Sequence, residues 1–143
     1  GEEIDLASAI CVDDEDIVAS EYSINAALLA LDEGEKEVDE CLSSHLLRSN
    51  CPVTGQPDWA TIFVHYCGPK IFRQSLLKYI ISYRNHNDFH EQCVERVFLD
   101  VLKACRPHKL SVYGRYTRRG GIDINPFRSN FEVCGDNIKL MRQ

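Results

Sequence analysis

The chain lacks any run near the roughly 18 consecutive apolar residues that a membrane-spanning helix needs, so we expect a soluble protein with no membrane partner. No secretory leader is expected, and its seven cysteines form neither an even set nor a regular framework. That argues against a disulfide scaffold and for a reducing, cytoplasmic setting. No internal repeat or low-complexity tract is present. Aromatic residues are only 9% of the chain and are thinly interleaved with its basic stretches, so no nucleic-acid partner is expected. Basic residues are nearly missing from the first 41 positions, where Lys36 stands alone against fourteen Asp or Glu, a balance of -13.

What is present complements these gaps. Residues 42–143 carry fifteen Lys or Arg against eight acids, a balance of +7. We therefore expect an acidic, solvated and loosely packed lead-in or linker region over residues 1–34. Residues 35–143 then form a domain suited to an anionic, phosphate-bearing partner. With 44% apolar residues, the chain can bury one real core.

Periodicity orders the elements. From Glu35 to Arg48 the apolar positions Val38, Leu42 and Leu46 share one parity, as in a strand. Trp59 to Tyr66 is aromatic and β-branched, a second strand closed by Cys67-Gly68-Pro69. Phe72, Leu76, Leu77, Ile80 and Ile81 recur at helical spacing between Phe72 and Tyr83. Phe89, Cys93, Val97, Val101 and Leu102, with Val94, Phe98 and Cys105, form a wider stripe that stops before Pro107. Leu110 to Thr117 alternates as a third strand, Gly120-Gly121 turns, and Ile122 to Asn125 starts a fourth. The order is ββααββ: an α+β fold, with an antiparallel sheet and a helix pair on one face. One such unit leaves sheet edges open, which invites pairing with another copy.

Ser49 to Trp59 carries the chemistry. Cys51 and Asp58 lie seven residues apart in a segment rich in Asn, Pro, Gly and Gln, which are turn formers. A thiol beside a carboxylate pairs a soft nucleophile with a proton donor, suited to attack on a nitrile, carbonyl or amide. Most free cysteines are small buried hydrophobes, so the residues alone leave both readings of Cys51 open. Cys93 and Cys105 lie on the helical stripe and read as core.

Two further groups remain ambiguous. Asp88 can cap the second helix, with Glu91 completing a capping box; equally, the helix start can bind an anion, lower a nearby thiol pKa, or offer Glu91 to a purine edge. Arg115, Arg118, Arg119 and Arg128 surround Gly120-Gly121, as a phosphate clamp or a solvated basic face would.

Taken together, these segments closely resemble the NADPH-dependent nitrile reductases of queuosine biosynthesis, the 7-cyano-7-deazaguanine reductases. The likeness runs through Ser49-Asn50-Cys51-Pro52, Gln56-Pro57-Asp58-Trp59, the run Ser82 to Arg96 that contains Asp88-Phe89-His90-Glu91, Tyr116 to Gly121, Asn125-Pro126 and Arg128-Ser129. The resemblance implies the tunnelling fold and a tRNA-modification enzyme that reduces 7-cyano-7-deazaguanine to its aminomethyl product with two NADPH. By residue, it implies Cys51 as the nucleophile forming a thioimide, Asp58 as the general acid and His90 near the reacting centre. Glu91 and Phe89 would hold the base, and Arg118, Arg119 and Gly120 the cofactor phosphates. Asp58 must then hold a proton, which desolvation by Trp59 and the bound base would favour.

One departure stands out. The family's cofactor signature, of the form Glu-(Ser/Leu)-Lys-(Ser/Ala)-x-Lys-(Leu/Tyr)-(Tyr/Phe/Trp), has no match here. Bimodular members carry it in an N-terminal half, so this chain is similar to the C-terminal catalytic half. Its expected partners are that other half, or another copy in a homo-oligomer. Two alternatives remain: a purine-binding module inactive without its other half, and a zinc-dependent cyclohydrolase-like enzyme. The second lacks an expected ligand, since Thr54 rather than His follows Cys51 by three, and no metal is expected at the site.

Overall fold

The computed structural model describes residues 6–19, 23–34, 36–116 and 124–131. Its sheet holds β1 (Ile10–Cys11), β2 (Val38–Asn50), β3 (Pro57–Gly68), β4 (Lys109–Tyr116) and β5 (Phe127–Ser129), in that spatial order. The helices α1 (Arg73–Ile81) and α2 (His90–Cys105) connect β3 to β4. From β2 onward the order is ββααββ, as periodicity predicts. The sheet is mixed, however: β1 runs parallel to β2, and all other neighbours are antiparallel.

Alternation sorts the residues. Ala60, Ile62, Val64 and Tyr66 of β3 join Leu110, Val112 and Tyr116 of β4 on one face, where the buried stripes of α1 and α2 pack against them. The opposite face carries a small second cluster of Cys41, Phe63 and Tyr113. Gly114 sits under α2, where an added Cβ would stand 2.8 Å from Val94 Cγ2. Cys93 and Cys105 are buried in the main core, and burial pushes the Cys105 thiol up to about 11.

A bulge in β2 corrects the simple parity of that strand. Ser44 pairs with Ile62 but Leu47 with Ala60, so β2 holds one extra residue between them. The buried residue thus changes from the even series (Leu42, Ser44) to the odd (Leu47, Ser49), and Leu46 is only half-buried. Asp13 completes the bulge, accepting from Ser44 Oγ at 2.5 Å and from the His45 N–H at 2.8 Å.

That contact corrects the picture of a loose lead-in. Val12 is fully buried and Leu29 nearly so, both within the main core. The Ala30 N–H donates to Ser75 Oγ at 3.0 Å, and Leu31 bridges Ile71. The acidic segment is hydrated on one side and packed on the other. The fourth predicted strand is also displaced. Ile124 and Asn125 lie outside any strand, and β5 begins after Pro126, whose carbonyl accepts from Gly114 N–H. Ile122 and the predicted turn at Gly120-Gly121 lie outside the described residues.

Candidate active site

The β2–β3 connection begins at Cys51. The Cys51 N–H donates to Gln56 O and the Gly55 N–H to Cys51 O, both at 2.8 Å, which folds the loop back on itself. Gly55 takes φ of 72°, a left-handed value that suits glycine. The Cys51 thiol is half-buried and its pKa is lowered, first by the Thr54 backbone N–H, then by the Thr54 hydroxyl and the Val53 N–H. Asp58 opposes this as a nearby negative charge. The stabilising donors are the loop's own. The N-terminus of α2, for which this was one of the roles left open by the sequence, is not among them.

Asp58 lies one residue inside β3, opposite Ser49, with only 7% of its surface exposed. Its neighbour Trp59 points to the other side of the sheet and is 42% exposed, so the desolvation expected from Trp59 does not arise that way. Asp58 is reached instead from α2: His90 Nε2 and Asp58 Oδ2 lie 3.1 Å apart and share a hydrogen bond. The His90 ring stacks flat on Tyr116 of β4, with centroids 3.8 Å apart and planes within 9°.

Backbone pairing brings His90 to this place. The Asn50 N–H donates to His86 O at 2.7 Å and the Asp88 N–H to Asn50 O at 3.1 Å, so the segment before α2 pairs beside the end of β2. A buried tyrosine network supports that segment. Tyr79 donates to Asp100 at 2.7 Å, its hydroxyl lies 2.6 Å from that of Tyr83, and the Tyr83 ring meets His86 edge-on.

Helix α2 is capped differently from the sequence expectation. Its N-cap is Phe89, one residue later than Asp88. The Phe89 N–H is shared by Asp88 Oδ1 at 3.0 Å and Gln92 Oε1 at 3.3 Å. Gln92 therefore takes the reciprocal capping role foreseen for Glu91. Glu91 and Phe89 are both exposed at the open end of the helix, beside His90.

Polar atoms are left over at this end of the sheet. Among the described residues, buried Asn50 Oδ1 and His90 Nδ1 have no hydrogen-bond partner, while Ser49 Oγ reaches the Cys93 thiol. Buried polar atoms are nearly always paired, so such a gathering around Cys51 and Asp58 suits a site built for a polar ligand. Arg118, Arg119 and Gly120 lie outside the described residues. Of their companions, Arg128 pairs with Glu95 at 2.9 Å and Arg115 lies over the Phe63 ring. The resemblance gave Tyr116 no role, although an inward-facing tyrosine just before an arginine run is a visible signal.

The QueF-like protein family matches residues 57–133, more than half of the chain. The chain belongs to the QueF-like family. Among its curated relatives, the NADPH-dependent 7-cyano-7-deazaguanine reductase of Paraburkholderia phytofirmans is 60% identical over 129 residues, 90% of this chain and 47% of that protein. The protein of the same name from Burkholderia cenocepacia is 55% identical over 144 residues, covering 99% of this chain and 52% of the relative. This QueF-like chain thus spans about half the length of the curated relatives it matches. An archaeosine synthase QueF-Like, solved in its apo form, aligns with a TM-score of 0.59 at 19% identity, over 71% of this chain and 99% of that one. That likeness shows the shared tunnelling fold.

Proposed function

We propose that this QueF-like chain is the catalytic part of a 7-cyano-7-deazaguanine reductase of queuosine biosynthesis, working in the cytoplasm. The observation that carries this reading is the meeting of a thiolate-stabilising turn at Cys51 with the buried Asp58–His90 pair. The Cys51 thiolate adds to the nitrile carbon. The electron pair of the broken C–N π bond moves to nitrogen, which takes the proton held between Asp58 and His90, leaving a thioimide. Tyr116 keeps the His90 ring flat and Nε2 aimed at Asp58. Glu91 and Phe89, exposed beside His90, bind the edge and face of the deazaguanine.

When bound, NADPH supplies hydride, two equivalents taking the adduct to the primary amine. The described members of the arginine cluster do not fit a phosphate cradle, because Arg128 is paired and Arg115 lies on an aromatic ring. Whatever part of that cradle this chain provides rests on Arg118, Arg119 and Gly120. The remainder comes from a second half of the same enzyme or from another copy, with residues 35–143 as the catalytic unit and residues 1–34 as a lead-in that links the halves while docking on the core through Val12 and Leu29.

Intact mass spectrometry after incubation with 7-cyano-7-deazaguanine, without NADPH, tests the covalent step. The native chain should gain the mass of one substrate, Cys51→Ala none, and Cys105→Ala as much as the native chain. An unshifted native chain, or equal loss in both variants, removes Cys51 as nucleophile.

A further inference from the structure

We propose that Cys11, Asp13 and His45 form a binding site for a zinc-class divalent cation that staples the acidic N-terminal segment to the bulge of β2. One ligand atom from each, a thiol sulfur, a carboxylate oxygen and an imidazole nitrogen, lies within 4.8 Å of the other two. Three elements converge to place them. Cys11 is held in β1 opposite Ser43, Asp13 is the residue that completes the bulge, and His45 is the extra-residue region of β2 itself.

The surroundings are those of a metal site. His45 Nδ1 lies 2.8 Å from Thr61 Oγ1; donating there fixes the ring and leaves Nε2 as the ligand nitrogen. Asp13 is oriented by Ser44 and by the His45 N–H, and each carboxylate oxygen keeps a further lone pair for a cation. Such supporting hydrogen bonds hold ligands in place before a metal arrives. The donor set selects the metal. Thiolate with imidazole favours zinc over calcium or magnesium, which prefer oxygen ligands throughout. Three protein ligands leave a fourth tetrahedral position for water. His45 sits at the bulge of β2 and Cys51 just past the strand's end, roughly 15 Å further on at about 3.3 Å per residue, so this site is separate from the thiol chemistry. A cation here closes a loop between residues 11 and 45 and neutralises part of the acidic segment, a stabilising role.

Chelator-treated protein titrated with zinc chloride alone should melt several degrees higher. Cobalt chloride should give a near-ultraviolet thiolate-to-metal band that is kept in Cys51→Ala and lost in Cys11→Ser and His45→Ala. His45 is exposed and outside both core clusters, so His45→Ala should keep the fold and read binding even if Cys11→Ser folds poorly. Thr61→Val, which removes only the supporting hydroxyl, should weaken zinc by about 10–100-fold. No thiolate band in the native chain, or a band that survives Cys11→Ser, overturns the site.

Discussion

The Cys51 thiol owes its lowered pKa to donors three residues away in its own loop, and that dependence can be measured. A depressed pKa means that the thiolate persists to lower pH than for a free cysteine, so adduct formation should begin to rise at a lower pH. Thr54→Val removes the hydroxyl donor but keeps the backbone N–H, the largest contributor. The rising limb of the pH–rate profile should therefore move to higher pH, with rates converging above it. An unchanged profile would mean that the loop does not tune the nucleophile. Glu91 offers a second measurement at this scale. Because Gln92 and Asp88 cap α2, Glu91→Gln should leave stability within about 0.5 kcal/mol, as surface changes do. It should weaken deazaguanine binding by roughly 1.5–3 kcal/mol, the scale of a hydrogen bond to a charged group. Calorimetric titration beside a melting curve decides, and a lowered melting point with unchanged affinity would return Glu91 to a capping role.

At the scale of elements, the site depends on how closely α2 lies on the sheet. Val94 packs where a Cβ of residue 114 would be, so Gly114→Ala must push α2 outward or distort β4. Overpacking of this kind costs about 1–3 kcal/mol. Urea unfolding should show that loss, and adding Val94→Ala should recover part of it; additive losses in the double variant would refute the contact. These elements were largely legible in the sequence. The stripes of α1 and α2 and the alternation of β3 and β4 are strong local patterns. The bulge was not legible, because Leu46 and Leu47 are equally apolar and only the pairing with β3 and the bonds from Asp13 decide which is buried. Two-residue β1 carries too little pattern to detect. The Asp58–His90 pair spans 32 positions, and no local signal joins them; the family resemblance put both in one site, and the pairing of Asn50 with residues 86–88 brings them together.

For the whole molecule, the division of charge was visible in the sequence, but its structural consequence was not. An acidic segment reads as solvated, yet Val12, Leu29 and Asp13 dock it on the basic remainder. No helix among the described residues is long and apolar enough to cross a membrane. The larger question is which step these 143 residues can complete, given that they span about half of their curated relatives. The proposed covalent step needs Cys51, the Asp58–His90 pair and the base-holding Glu91 and Phe89, and all of these lie in this chain. Hydride delivery needs a nicotinamide held beside the adduct, and the lysine-bearing signature associated with that cofactor is absent from the sequence. We therefore expect the isolated chain to form the adduct yet to consume NADPH only when an N-terminal half carrying the signature is added. Near-ultraviolet absorbance of NADPH, followed with and without that half, tests the expectation, and adduct mass measured on the same samples separates a cofactor failure from a dead thiol. Steady turnover by the isolated chain would place the whole cofactor site within it, and the division of labour between halves would have to be abandoned.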